Sequence, residues 1–492
     1  MFRLVLLPTM FSLASIFAQA QVSFQNSVYS GFPLRTQVDL NRDGAPDLIG
    51  IALSGTPNAQ FEVLLSRGHG AYAPAIPYDT INNEVAEGFA VGDFNEDGNA
   101  DLAVSICACG NPQSQSGIEI FFGRGDGTLI QPTKKWPSPY AVNLQAADVN
   151  HDGNLDLVLI NTDNTVSVMQ GKGDGTFSPS MAVYTPANGF ALDPNTFLMG
   201  DFDGDTNADF VAYASSCTPQ LCNEEMVTLF GNGRGAFSPV VASVPNDVPF
   251  TSVADVNQDG KSDLLNYIGG NPPQFAVLYG TGNRTFQTKT YSAAPQPWVA
   301  SGAMTVADFN GDGINDIAYQ ASPVGMSETD LLVQLGTAGG AFAAPISETF
   351  SEDFSSPALF VGDYRPDQKP DLAAMTSSNS ETVIDILLNT TSGSFSDCGT
   401  PKPKGIKVCA PKSGSFTSSP VRFDISAAAF APIRKIETWV DGKKVSETYY
   451  GWDVKSFSRF SVNLAAGKHH VDVYSANYDN TLQHKGFKFT VQ

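Results

Sequence analysis

Along most of the chain, apolar side chains come in short alternating runs separated by polar turns rich in Asp, Asn and Gly. Alternation with period two marks strands that bury one face, and the Asp/Asn/Gly clusters mark the turns between them. The runs recur in a fixed order around seven polar segments: DLNRDGAPD from Asp39, DFNEDGNAD from Asp93, DVNHDGNLD from Asp148, DFDGDTNAD from Asp201, DVNQDGKSD from Asp255, DFNGDGIND from Asp308 and DYRPDQKPD from Asp363. Their starts are 54, 55, 53, 54, 53 and 55 residues apart. Each is preceded by an apolar run such as Phe89-Ala90-Val91 and followed by another such as Leu102-Ala103-Val104. A third strand then ends in a Gly-rich turn and an aromatic or apolar residue (IFFGRGDGTL, VMQGKGDGTF, LFGNGRGAF, VLYGTGNRTF), and a fourth follows, as in Met181-Ala182-Val183-Tyr184.

Four strands per repeat, repeated seven times, predict an all-β chain whose residues 21–397 form a seven-bladed β-propeller. The repeat also predicts how the ring closes. The segment VSFQNSVYSGFP, ahead of the first Asp motif, matches last-strand segments such as RTFQTKTYSAAP, whereas the seventh repeat ends after its third strand, Val383 to Leu388. The N-terminal strand is therefore expected to complete the last blade.

The Asp segments follow the pattern D-x-[ND]-x-D-G-x-x-D. Side-chain oxygens at positions one, three, five and nine can converge on one centre, with the carbonyl of position seven, while Gly at position six permits the reversal. The predicted ligands are Asp39, Asn41, Asp43 and Asp47; Asp93, Asn95, Asp97 and Asp101; Asp148, Asn150, Asp152 and Asp156; Asp201, Asp203, Asp205 and Asp209; Asp255, Asn257, Asp259 and Asp263; Asp308, Asn310, Asp312 and Asp316; and Asp363, Asp367 and Asp371. All-oxygen donors in this number select calcium over transition metals and over magnesium. The alternative is that each turn closes itself through side-chain to backbone hydrogen bonds. The fourth loop carries an extra acid, Asp203, and has Thr206 in the Gly position; the seventh has Arg365 at position three and Gln368 in the Gly position. Six occupied sites are expected, with the seventh in doubt.

These motifs resemble the FG-GAP or VCBS repeats of integrin α-subunit heads and of many secreted bacterial proteins, over residues 22 to about 396. The resemblance implies that each Asp loop joins the first two strands of a blade and that its calcium is structural. Departure from the family pattern at Arg365 puts the last site in doubt.

The composition agrees once it is divided. The 492 residues carry a formal net charge of -22, which disfavours sequence-independent nucleic-acid binding. Residues 21–397 hold 13 basic and 43 acidic side chains, and 22 of those acids are predicted ligands; residues 398–492 hold 14 basic and 7 acidic. The basic segment reads as further short strands, VRFDISAAAF, IRKIETWVDGKKV, FSRFSVNL and HHVDVYSA, with Asp441-Gly442 as a hairpin turn. It is similar to bacterial Ig-like domains and is expected to form a β-sandwich whose basic face docks on the acidic propeller, meets an anionic surface or stands free in solvent.

Arg3, the apolar run Leu4 to Phe17 and Ala18-Gln19-Ala20 predict a cleaved signal peptide over 1–20, hence a secreted, periplasmic or cell-surface protein without a transmembrane segment. The six cysteines fall as local pairs: Cys217 with Cys222 and Cys398 with Cys409 are expected disulfides, while Cys107 and Cys109 are either bonded or free thiols.

No nucleophile elbow, zinc-protease motif or nucleotide loop is present, and the acids are accounted for by the repeats, so no catalytic residue is assigned. Arg124-Gly125-Asp126 falls where other repeats have Lys172-Gly173-Asp174 or Asn232-Gly233-Arg234, which makes it a turn of the repeat. Trp136 and Trp298 are placed in blade-to-blade connections on the face opposite calcium, either stacking on a ligand or packed between blades. The expected function is binding or adhesion to an extracellular protein or glycan. The alternatives are a carbohydrate-binding lectin and a polysaccharide-active enzyme on the same scaffold.

Overall fold

A computed structural model describes residues 22–492 except 31–32, 53–59, 110–114, 188, 218–221, 244–249, 258, 260, 270–273, 294–297, 313, 324–329, 338–340, 350–358, 366, 368, 379–380, 392–404, 420, 430–432, 450–454 and 478–480. The expected signal segment, Gln368 and Cys398 lie outside the described residues.

Seven four-stranded antiparallel paths form the propeller, each running from an innermost to an outermost strand. The third blade is representative: Ala141–Ala147, Asp156–Asn161, Val166–Met169 and Met181–Tyr184. Its second strand is buried along its whole length because neighbouring blades cover both faces, so it reads as a continuous apolar run. Its outermost strand alternates poorly and is largely open.

Apolar side chains join each blade to the next. Phe197, Phe210 and Val227 of the fourth blade pack with Val158 and Val168 of the third, and at the far side Leu34, Leu48 and Leu64 of the first blade pack with Ala373, Ile384 and Ile386 of the seventh. The ring is thus closed by side chains as well as by backbone. The backbone closure is the strand Phe24–Ser30, which pairs with Glu381–Asn389 from Phe24↔Asn389 to Ser30↔Val383 and completes the seventh blade. Ser23 N–H donates to Thr391 Oγ1 at 3.1 Å and Thr390 N–H to Ser23 O at 2.8 Å, which fixes the register.

The C-terminal domain has a three-stranded sheet (Gly405–Ala410, Val421–Ala428, Lys455–Val462) and a five-stranded sheet in the order Phe416–Thr417, Leu482–Val491, Gly467–Asn477, Ile433–Val440, Lys443–Tyr449. Phe423 and Ile425 of one sheet meet Ile436, Val473 and Phe489 of the other in a common core. Asp441 and Gly442, at φ 51° and 79°, make the left-handed hairpin turn expected of an Asp-Gly pair.

Cys107–Cys109 and Cys217–Cys222 are disulfide-bonded, and so is Cys409, whose expected partner Cys398 is among the residues not described. Among the described residues, no helix is long and apolar enough to cross a membrane.

Candidate metal centres

Each Asp loop joins the first and second strands of its blade, and its geometry follows from where the backbone amides point. The position-one carboxylate folds back on its own turn: Asp39 accepts from Asp43 N–H at 3.1 Å and Gly44 N–H at 2.9 Å, and Asp93 accepts from Asp97 and Gly98 at 3.1 and 2.7 Å. The position-three amide of Asn41, Asn95, Asn150 and Asn310 accepts from the position-five N–H and donates to the position-five carboxylate. That carboxylate in turn accepts from the N–H of position seven, as Asp43 does from Ala45 and Asp97 from Asn99. Side-chain oxygens are thereby drawn to one end of each blade by local hydrogen bonds.

Two backbone requirements accompany this arrangement. Gly44, Gly98 and Gly153 at position six have φ of 90°, 82° and 102°, and Thr206 is held at 74° in the fourth loop, a costly conformation for a β-branched residue. Position four is left-handed as well, at Arg42, Glu96 and His151. Two loops have Gly at that position, Gly204 and Gly311 at φ 76° and 75°, so the sequence carried a sign of it.

Position nine carries a second task besides offering an oxygen to the loop. Asp47, Asp101, Asp156, Asp209, Asp263, Asp316 and Asp371 are all fully buried. Each uses its two oxygens to join separate segments, as Asp101 does by accepting from Phe94 N–H at 2.9 Å and Gly123 N–H at 2.8 Å. The same bridge, from position two of the loop to the turn after the third strand, is made by Asp156 to Val149 and Gly171, and by Asp209 to Phe202 and Gly231. It also explains the first glycine of that turn. A Cβ on Gly123 would lie 2.0 Å from Ala100 O, and one on Gly171 would lie 2.0 Å from Leu155 O. Asp101→Ala would leave two buried N–H groups without an acceptor and is expected to destabilise by about 3 kcal/mol or more. A loss below about 1 kcal/mol in chemical denaturation would show that the bridge holds nothing.

Burial raises these acids. Asp47, Asp156 and Asp263 are pushed up to about 7, and Asp101, Asp209, Asp316 and Asp371 to about 8, by desolvation that their backbone donors only partly offset. Unfolded carboxyls titrate near 4, so the folded chain binds these protons more tightly. Cation-free protein should then lose stability as pH rises from about 4 through 8. Thermal melts in chelator are expected to give a higher midpoint at pH 5.5 than at pH 8.5; the reverse order would contradict the burial argument.

The donor sets fit a hard divalent cation. One oxygen from each of Asp201, Asp203 and Asp209, and one from each of Asp363, Asp367 and Asp371, lie within 4.8 Å of one another. In the third loop Asp148 Oδ1 is buried without a hydrogen-bond partner, an open acceptor on the loop's first ligand position. In the seventh loop Arg365 turns its guanidinium onto Asp367, 2.7 Å away, so a cation of the chain lies against one of the acids.

The two tryptophans are not in blade-to-blade connections. Trp136 lies in Lys135–Pro137, an outer strand of the second blade paired with Gly117–Gly123, edge-on to Phe177 with ring centroids 6.2 Å apart. Outer strands pack against the neighbouring blade, and this ring is half-buried there. Trp298 opens the innermost strand of the sixth blade, opposite Pro323. Arg124-Gly125-Asp126 is a turn, with Asp126 Oδ1 accepting from Thr128 N–H at 2.9 Å and Gly125 in the left-handed region like Gly173 and Gly233.

Sequence reasoning missed a second candidate site. On the side of the Asp loops, a cavity of about 660 Å³ opens between the third and fourth loops and the five-stranded sheet of the C-terminal domain. His151 and Asp152 line one wall; Glu437, Trp439 and Tyr474 line the other. Trp439 Nε1 donates to Glu437 Oε2 at 3.1 Å, and Tyr474 stacks on His484 with centroids 4.6 Å apart, so both rings are held in place.

A family model for the FG-GAP-like repeat matches residues 39–104, 148–212 and 255–319, each span opening on the first ligand position of a loop. The chain thus carries three matched FG-GAP-like segments, each containing two of the seven Asp loops. No curated protein matches it. Among solved structures, the extracellular domain of a hybrid two component system from B. thetaiotaomicron is 8% identical, with a TM-score of 0.41, over 96% of this chain and 60% of that one. The chain therefore spans about three fifths of that relative's length. The periplasmic gluconolactonase of Pseudomonas aeruginosa is 12% identical, with a TM-score of 0.41, over 74% of this chain and 98% of that one. BBS1N in complex with ARL6DN gives 12% and a TM-score of 0.44 over 75% and 98%.

Proposed function

We propose that this chain of FG-GAP-like repeats is an exported, calcium-stabilised propeller that binds an extracellular protein or glycan and performs no chemistry on it. The observation that carries the calcium reading is the buried, partnerless Asp148 Oδ1 at the first position of an all-oxygen loop. A divalent cation there would be held by Asp148, Asn150, Asp152 and Asp156, and by their counterparts in the other loops. It would supply positive charge to acids that are otherwise crowded and desolvated. The sevenfold repetition of the donor set favours a structural role, because an active site is built once.

Within binding, the interdomain cavity favours a glycan. Two aromatic rings with fixed orientations, flanked by carboxylates and an imidazole, match the alternating apolar faces and hydroxyls of a sugar ring. The test is a glycan and protein-ligand screen of the full chain in calcium, with Trp439→Ala and Tyr474→Ala as controls. Glycan binding lost in both variants supports the reading. Binding of a protein alone, unaffected by either change, moves the site elsewhere, and turnover of a polysaccharide overturns the non-enzymatic reading.

A further inference from the structure

The fourth Asp loop differs from the others in two ways. It alone has an acid at position three, Asp203, where five loops have Asn and the seventh has Arg365. It is also approached by a cation from the C-terminal domain: Lys444 Nζ lies 3.7 Å from Asp201 Oδ2, with both side chains largely buried. Asp201 is the first ligand position of this loop, its oxygens already accepting from Gly204 N–H at 2.8 Å and Thr206 N–H at 2.9 Å. The surplus acid has its own partner, Arg284 of the fifth blade, with Nε 3.0 Å from Asp203 Oδ2.

Lys444 is fixed by its own sheet. Glu447 Oε2 lies 2.6 Å from it, and Lys435 bridges Glu447 at 2.5 Å and Glu437 at 2.7 Å. Five charged groups, Asp201, Lys444, Glu447, Lys435 and Glu437, therefore run in alternating sign from the propeller loop into the C-terminal domain. Arg422 Nη2, donating to Gly311 O at 2.8 Å in the sixth loop, is a second anchor on the same side.

We propose that Lys444 and a divalent cation compete for Asp201, so that ion binding at the fourth loop and attachment of the C-terminal domain to that loop oppose each other. This rests on the calcium reading above. A calcium ion takes carboxylate oxygens at about 2.3–2.6 Å, which would bring a double positive charge close to an ammonium already resting on the same carboxylate. In a half-buried setting such a like-charge contact is strongly unfavourable. The linkage is reciprocal: whatever the docked domain takes from the ion's affinity, the ion takes from the domain's attachment. The structure thus assigns to Lys444 a hold on the fourth loop that rising calcium weakens, while Arg422 keeps its own contact with the sixth loop.

The test uses the full chain, as wild type, Lys444→Met and Lys444→Arg, titrated with calcium alone by isothermal calorimetry. The distance between spin labels on the propeller and on the C-terminal domain is followed in parallel. Lys444→Met is expected to bind calcium at one site at least about tenfold more tightly than wild type, with the remaining sites unchanged, and Lys444→Arg to restore the wild-type isotherm. In wild type, the distance distribution should broaden as the weakest site fills; in Lys444→Met it should be broad before calcium is added. Identical isotherms for all three proteins, or a wild-type distribution indifferent to calcium, overturns the competition while leaving the calcium reading intact. Absence of calcium binding in every variant overturns both.

Discussion

Removing divalent cations with a chelator is expected to lower the melting temperature of the propeller by about 10 °C or more, and restoring calcium to return it. Each site filled well above its dissociation constant adds about 2–3 kcal/mol to the folded state, and several sites act on one closed ring. The structure adds a reason for the sign. Position-nine acids pushed to about 7 or 8, such as Asp47 and Asp316, lie close to further acids of the same loop, so the ionised, cation-free loop is under mutual repulsion. The transition should also broaden, since blades differ: Arg365 already neutralises Asp367 in the seventh, whereas the third keeps Asp148 Oδ1 open. Differential scanning calorimetry with and without chelator measures this. A thermogram that chelator leaves unchanged refutes calcium as a stabilising partner.

Deleting Val22–Ser30 is expected to abolish the single cooperative transition of the propeller. This strand is the outer edge of the seventh blade, and its loss strips Glu381–Asn389 of its outer ladder partner and removes Val22 from the core it shares with Phe309 and Leu372. An exposed, apolar strand edge also invites pairing between molecules. The deleted protein should melt at least about 10 °C lower and aggregate on heating, as is usual when a core element is lost. Supplying the segment as a free peptide should recover part of the difference. A deletion variant that melts with the parent's midpoint and sharpness refutes closure by this strand.

Much of this arrangement was legible in the sequence because it is repeated. Spacings between Asp motifs locate all seven first-to-second-strand turns, and the shortfall of the seventh repeat, set against the orphan segment before Asp39, gives the closure. What was not legible depends on tertiary neighbours. Position nine reads as one more ligand, and Asp209 and Asp371 do stand in acid clusters that could hold a cation; what the motif does not show is that its oxygens also accept from backbone N–H groups of a turn that, in the case of Asp101, lies 22 residues on. Trp136 sits between Lys135 and Pro137 and reads as a loop residue, but pairing with Ile118 makes it part of a strand. Lys435, Glu437 and Trp439 alternate so that they must share one face of their strand, and period two shows that much. That the face meets the third and fourth loops follows only from how two separate domains come together.

The loops close on hydrogen bonds of their own, and that has a consequence for how such a chain can change over generations. A copy of the motif that loses its ion still has the shape needed to sit between its neighbours, because Asp371 continues to join Arg365 and Asn389 through their amides. Shape and ionic load are inherited separately. A lineage can therefore retire or add cation sites one wedge at a time, tuning its sensitivity to the ions of its surroundings without having to rebuild the circle.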